Sequence, residues 1–273
     1  MKICPKSEQD QPLVSIIVPV FNGTIGHIIE ALESIKFQNY QNLECLIIDD
    51  STKQENIELI KNYCLNDSRF HYFGRYGVDG LGAALSYGLA YCNGVFIARM
   101  DADDISISSR IAIQVTFLND NPEVTVVGSN VTLIDEKGIE FGKKVYGIDH
   151  QSIVKQFIYK NGMAHPSVMF RRTIIESGES YDPLFRYCED LEFWLRLLNR
   201  GYVFSNIKQP LIFYRESVKY NRVKNNWIYN FRARNKYFSL GSLSSYLSVT
   251  IALMHLVLPE SIRRLFYKRM TKI

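Results

Sequence analysis

Apolar residues follow two rhythms along the first hundred positions of this chain, and the alternation between them predicts its architecture. Val14 to Val20 is an almost unbroken apolar run that stops at Asn22, which reads as a buried strand followed by a loop. From Ile25 to Phe37 the apolar positions Ile28, Ile29, Leu32 and Ile35 recur at helical spacing. Leu43 to Ile48 predicts a second strand. Asp49-Asp50-Ser51-Thr52 follows it, with Ser51 or Thr52 placed to cap a helix running to Tyr63. Arg69 to Phe73 predicts a third strand, and Gly80-Leu81-Gly82 opens a helix through Cys92 that Asn93-Gly94 closes. A fourth strand starts at Val95. Strands alternating with helices predict an α/β fold with a mostly parallel sheet covered on both faces.

The second half is less regular. Val124 to Gly128 and Val131 to Ile134 predict strands, with a turn at Asp135-Glu136-Lys137-Gly138. His165 to Arg172 reads as a short strand reached from a loop. Glu189 and Asp190 head a helix from Leu191 to Arg200, a placement that the helix dipole favours on structural grounds alone. The longest apolar stretch, Leu243 to Leu258, is interrupted by serines, Thr250 and His255 and stopped by Pro259. It falls short of the about 20 apolar residues of a spanning helix. Arg263, Arg264, Lys268, Arg269 and Lys272 follow it. That combination suits an interfacial position on an anionic membrane, and equally a core helix with a solvated basic tail.

Composition narrows the partners. The chain of 273 residues has room for one large domain or two small ones. A formal net charge of +4 is too slight to argue for nucleic acid. Five widely spaced cysteines with no Cys-x-x-Cys pair suggest neither a disulfide framework nor a zinc site. Lys2, Lys6, Glu8 and Asp10 surround no apolar stretch, so no secretory signal is read there and a location inside the cell is expected.

Candidate chemistry collects where strands end. Val95 to Met100 runs apolar, apart from Arg99, into Asp101, Asp103 and Asp104, three carboxylates within four residues. Such a cluster is costly unless a divalent cation, a ribose or backbone donors satisfy it, and oxygen ligands favour Mg or Mn over Zn. An acidic turn before a helix starting near Ser108 would give the same residues a structural role. Turn or acidic residues also follow the first two strands, at Asn22 and at Asp49 and Asp50. Open parallel sheets bind ligands outside the carboxyl ends of their strands, so a nucleotide site is expected there. Gly80-Leu81-Gly82 does not follow the first strand and lacks the third glycine of a dinucleotide fingerprint, and no P-loop is present.

Taken in order, several segments resemble a family 2 glycosyltransferase of the GT-A fold. They are Val14-Ser15-Ile16-Ile17-Val18-Pro19-Val20-Phe21-Asn22, Glu44-Cys45-Leu46-Ile47-Ile48-Asp49-Asp50-Ser51, Asp101 to Asp104, His165-Pro166-Ser167-Val168-Met169, and Glu189 to Leu197. The resemblance implies a Rossmann-like, mostly parallel sheet flanked by helices. It implies a transferase domain over 1–220, with a nucleotide-sugar half at about 12–105 and an acceptor half at about 106–220. Residues 221–273 would form a helical, basic extension. Pro19, Val20, Phe21, Asn22 and Asp50 would hold the base and ribose of a UDP-sugar, with Gly80, Asp101 and Ala102 also on the donor side. Asp103 or Asp104 would bind Mn or Mg, Asp190 would be the general base, and Glu189 would orient it or touch the acceptor. His165, Arg171 and Tyr187 fall on the acceptor side.

The resemblance further implies an inverting, single-addition enzyme. It would act on a lipid-linked saccharide of a bacterial surface polysaccharide such as O-antigen or capsule; together with the apolar stretch and basic tail of residues 243–273, a peripheral position at the cytoplasmic face of the membrane is expected. Three departures stand out. Ala84-Leu85-Ser86 occupies the place of the Ala-Arg-Asn of many members, Glu216-Ser217 that of a His after Tyr214-Arg215, and no Gln-x-x-Arg-Trp motif follows Asp190. The rival readings are a nucleotidyltransferase and a non-catalytic nucleotide-sugar-binding protein.

Overall fold

The computed structural model describes residues 11–75, 77, 79–216, 224–240 and 242–259. The first half runs β1 (Val14–Val20), α1 (Ile25–Lys36), β2 (Leu43–Asp49), α2 (Gln54–Leu65), β3 (Phe70–Gly74), α3 (Leu81–Leu89), β4 (Phe96–Arg99) and β5 (Ile105–Ser106). The second half continues with α4 (Arg110–Asp120), β6 (Val126–Ile134), β7 (Glu140–Lys144), α5 (His150–Phe157), β8 (Met169–Arg171) and α6 (Thr173–Glu176). It closes with α7 (Glu189–Asn199), β9 (Phe204–Arg215), α8 (Lys224–Lys236) and α9 (Leu243–Val257). The strands form one sheet in the order β3-β2-β1-β4-β8-β6-β9-β5, with β7 pairing β6 along the edge it also shares with β8. The stretch β3-β2-β1-β4 is parallel. Beyond it the pairing is mixed, because β8 runs antiparallel to both β4 and β6 while β6 and β9 are parallel.

Period-2 alternation sorts each buried strand between two cores. Ile16, Val18, Cys45, Ile47 and Ala98 face one side with Ile28, Leu32 and Ile35 of α1, Ile60 of α2 and Ile111 and Val115 of α4. Ile17, Leu46, Ile48 and Ile97 face the other with Ala84 and Leu85 of α3, Phe157 of α5 and Phe193 and Trp194 of α7. Leu85, at the place of the family's Arg, is a wholly buried core residue. Ala233 carries α8 into this second core, so the first part of the C-terminal extension packs against the body of the protein. Gly94 is required where the chain enters β4, since a Cβ there would lie 2.5 Å from the backbone nitrogen of Ser15.

Several sequence expectations change in detail. Helix α3 ends at Leu89, and Ala90, Tyr91 and Cys92 continue as tight turns. The two strands expected at Val124–Gly128 and Val131–Ile134 are one, β6, whose pairing with β9 shifts between Ser129 and Val131. Helix α2 is capped by neither Ser51 nor Thr52. Its N-cap is Lys53, which makes no side-chain cap bond. Cys45, Cys64, Cys92 and Cys188 are free thiols. Among the described residues no helix is long and apolar enough to cross a membrane. The basic residues from Arg263 onward lie outside the described residues.

Candidate active site

Because β1, β2 and β4 are parallel neighbours, their carboxyl ends open on one edge of the sheet. At the end of β1, Phe21 is 60 % exposed, whereas Val20 is core and presents only backbone to this edge. Asn22 adopts a left-handed φ of 49°. Its Oδ1 accepts from the backbone N–H of Thr52 at 2.9 Å and of Lys53 at 3.0 Å, and its Nδ2 donates to the Thr52 hydroxyl at 3.0 Å. Asn22 therefore ties the loop after β1 to the loop before α2. Asp49 is likewise structural, accepting from the Ser51 N–H at 2.9 Å and the Tyr72 hydroxyl at 3.2 Å.

Asp50 is different. It is buried, Arg75 Nε lies 3.5 Å from its Oδ1, and that oxygen has no hydrogen-bond partner among the described residues. Burial raises its pKa, against the pull of the Arg75 charge and the Gly77 backbone. An unpartnered buried oxygen beside a cation can accept a hydroxyl. Gly80, nearby in sequence, opens α3 with φ 96°, a conformation side chains disfavour.

The carboxylate cluster follows β4. Buried Arg99 forks onto Asp101, Nη1 donating to Oδ2 at 2.8 Å and Nη2 to Oδ1. Asp104 is wholly buried; its Oδ1 accepts from the Arg215 N–H at 2.8 Å, while its Oδ2 has no hydrogen-bond partner among the described residues. Asp103 is exposed, and Ala102 packs partly into the core. Arg215 clasps the turn from the end of β9, donating to the Asp103 carbonyl at 2.8 Å, the Asp135 carbonyl at 2.9 Å and Glu30 at 2.6 Å. The three aspartates can each offer an oxygen within 4.8 Å of the others. Burial and the charges of Asp101 and Asp103 push Asp104 well above the carboxylate range. Surrounding protein and Asp101 push Asp103 up to about 6. Such crowding is relieved by a cation, and an oxygen-only donor set with one vacant buried lone pair suits Mg or Mn.

A second acidic pair stands at the start of α7, where Cys188 turns the chain with φ 56°. Asn161 donates to Asp190 Oδ2 at 2.5 Å, and the Leu191 N–H donates to its Oδ1 at 2.7 Å. Glu189 is buried and pushed up to about 8, by burial first and then by the Asp190 charge. Gly82 makes this possible, since a Cβ there would meet Glu189 Cβ and the Phe185 carbonyl at 3.2 Å. His165 Nε2 shares a hydrogen bond of 2.8 Å with the Tyr181 hydroxyl, and its Nδ1 lies 4.0 Å from Glu189. Burial, with the Arg99 charge adding, holds its pKa well below the usual value and keeps the ring neutral. Arg99 and Asp101 also act on Glu189, so both acidic groups share one electrostatic neighbourhood.

Asp190 borders a cavity of about 330 Å³. Lys144, Tyr146 and Lys160 line it on one side, and Trp227, Arg234 and His255 of the C-terminal helices on the other. Tyr187 packs on Tyr229 with ring centroids 5.6 Å apart. Arg171 does not belong here, contrary to the sequence expectation. Its guanidinium donates to the carbonyls of Val124 at 2.8 Å and Leu118 at 2.6 Å, which closes the end of α4.

The Glycosyl transferase family 2 profile matches residues 15–177. The chain belongs to that family. This glycosyltransferase is 32 % identical over 188 residues to the O-antigen biosynthesis glycosyltransferase WbnJ of Escherichia coli, covering 68 % of this chain and 72 % of that one. It is 28 % identical over 218 residues to the amylovoran biosynthesis glycosyltransferase AmsE of Erwinia amylovora, covering 80 % and 81 %. Its GT-A fold matches the crystal structure of S. aureus TarS 1-349 in complex with UDP-GlcNAc, with a TM-score of 0.67 at 14 % identity, over 92 % of this chain and 77 % of that chain. Against a longer TarS chain it spans 44 % of the length. Family membership sets aside the nucleotidyltransferase reading.

Sequence reasoning about this glycosyltransferase passed over Arg75, Arg99, Asn161 and Arg215 as parts of the site. Arg99 was within reach of it, because a charge in a buried strand two residues before Asp101 demands a partner. Asn161 lies in an irregular segment and carries no such signal.

Proposed function

We propose that the chain transfers a sugar, with inversion, from a UDP-sugar to a hydroxyl of a lipid-linked saccharide in surface polysaccharide biosynthesis. The observation that carries this reading is Asp190 on the wall of a cavity, its carboxylate held by Asn161 and the Leu191 N–H. The acceptor hydroxyl attacks the anomeric carbon, the bond from that carbon to the diphosphate oxygen breaks, and the hydroxyl proton passes to Asp190. Glu189, which keeps its proton to about 8, is unsuited to be the base at neutral pH and serves to position the loop and the acceptor. Asp50 accepts from the ribose, and Phe21 offers its exposed face to the base.

Asp103 and Asp104 would hold Mn or Mg, which supplies positive charge to the departing diphosphate. Arg99 forks onto Asp101 and holds it oriented beside them. WbnJ and AmsE, both named for polysaccharide biosynthesis, support the acceptor class, and the TarS complex with UDP-GlcNAc supports a UDP-sugar. The test is UDP or GDP release across a panel of sugar nucleotides, with and without a lipid-linked saccharide, followed by NMR of the new linkage. Acceptor-dependent UDP release with a β-linkage from an α-linked donor is expected. Release that ignores the acceptor, or a retained α-linkage, would overturn the reading.

A further inference from the structure

Helix α9 has two unlike faces. Ile251, Ala252 and His255 line the cavity beside Asp190, and the last two are buried. On the opposite side Leu243, Tyr246, Leu247, Leu253, Met254 and Val257 are exposed, Leu243 at 84 % and Val257 at 75 %. With exposed Thr250 they step by three or four residues or sit side by side. At 100° per residue they fall within an arc of about 120°, one stripe about 22 Å long. Single exposed leucines are ordinary, but a contiguous apolar stripe marks an interaction surface.

Charge says what covers it. Residues 217–273 hold eleven Lys or Arg and one acid, Glu260, a net of +10. The whole chain is +4, so residues 1–216 carry a net of −6. Joining two copies through this stripe would bring two strongly basic segments together, which opposes self-association. An anionic bilayer offers both an apolar interior for the stripe and negative headgroups for the cations that flank α9 in the sequence.

We infer that the exposed face of α9 lies in the interfacial layer of an anionic bilayer. The cavity beside Asp190, lined by the opposite face of the same helix, is thereby held at the lipid surface. Binding stands on α9 and the charge distribution alone; delivery of acceptor to the cavity rests on the lipid-linked reading above.

The test is co-sedimentation of the full chain with phosphatidylcholine vesicles and with vesicles in which about one third of the lipid is phosphatidylglycerol, at low and high salt. Binding to the anionic vesicles at least about tenfold tighter, and weakened by salt, is expected. The double variant Leu247→Asp, Met254→Asp should lose at least about tenfold of that binding while its circular dichroism and melting stay unchanged. Wild type that ignores both vesicles, or a variant that binds as wild type does, would overturn the inference. So would a dimer, seen by light scattering, that the double variant dissolves. Vesicle binding without turnover of any lipid-linked acceptor would overturn the acceptor reading and leave this inference standing.

Discussion

The side-chain amide of Asn161 donates to Oδ2 of Asp190 at 2.5 Å, while the Leu191 N–H takes Oδ1. Both oxygens of the proposed base are thus aimed by groups that do not titrate. Asp190→Asn should lower transfer by at least about 1,000-fold and leave UDP titration unchanged. Asn161→Ala keeps the carboxylate but removes the bond that aims its Oδ2, so kcat should fall roughly ten- to a hundredfold with the donor KM unaltered. Steady-state kinetics with calorimetric UDP titration separate the two. Retained turnover in Asp190→Asn would remove the base assignment.

Among the clustered carboxylates, Asp103 is exposed, whereas Asp101 neutralises buried Arg99. Asp103→Ala should abolish the tightening of UDP binding by Mn and barely change melting. Asp101→Asn should cost about 3 kcal/mol of stability, because it leaves a buried guanidinium against a neutral partner. Urea unfolding and UDP titration with and without Mn measure both. Equal stability losses in the two variants would contradict this division of roles.

Glu189 gives a pH dependence whose sign can be worked out. Its folded pKa, about 8, lies above the ordinary 4.5, because burial and Asp190 disfavour the charge. The folded state holds the proton longer than the unfolded chain does, so stability is full below the ordinary carboxylate range and is lost as pH rises through 8. Glu189→Gln removes that loss. Its stability should match wild type near pH 4 and exceed it at pH 9, by on the order of a few kcal/mol, with a correspondingly higher melting temperature there. Differential scanning fluorimetry across pH checks this, and parallel curves would show that Glu189 does not titrate as described.

Asn22 sits where a nucleotide contact was expected, yet its side chain is engaged by Thr52 and Lys53. Asn22→Ala should therefore cost about 2 kcal/mol, from the lost bonds and from placing alanine in a left-handed conformation. Chemical denaturation measures that cost, and UDP affinity should change by less than about threefold. A large loss of affinity at unchanged stability would return Asn22 to the donor site.

Much of the candidate donor edge was legible in the chain. Asp50 and the Asp101 to Asp104 cluster each end an apolar run, and such runs forecast buried strands without any knowledge of their neighbours. Arg171 misled, because a basic pair beside a candidate acceptor motif says nothing about which face of β8 the side chain leaves. In the fold it turns to the carbonyls that end α4. Strand β9 was passed over, since its apolar positions follow neither period cleanly.

The sequence by itself determined the parallel strands β1, β2 and β4 and the residues that follow them, because period and turn chemistry are local properties of a chain. Parallel strands share a direction, so their acidic ends had to open on one edge. Only the tertiary structure decided which carboxylate is clasped and which is open, since Arg99, Arg215 and Asn161 reach their partners through packing that leaves no periodic trace. It also laid α9 across the cavity beside Asp190, with one face inward and an apolar face outward. An amphipathic pattern states that a helix has two faces, and only its packing partners state which one is left to the solvent.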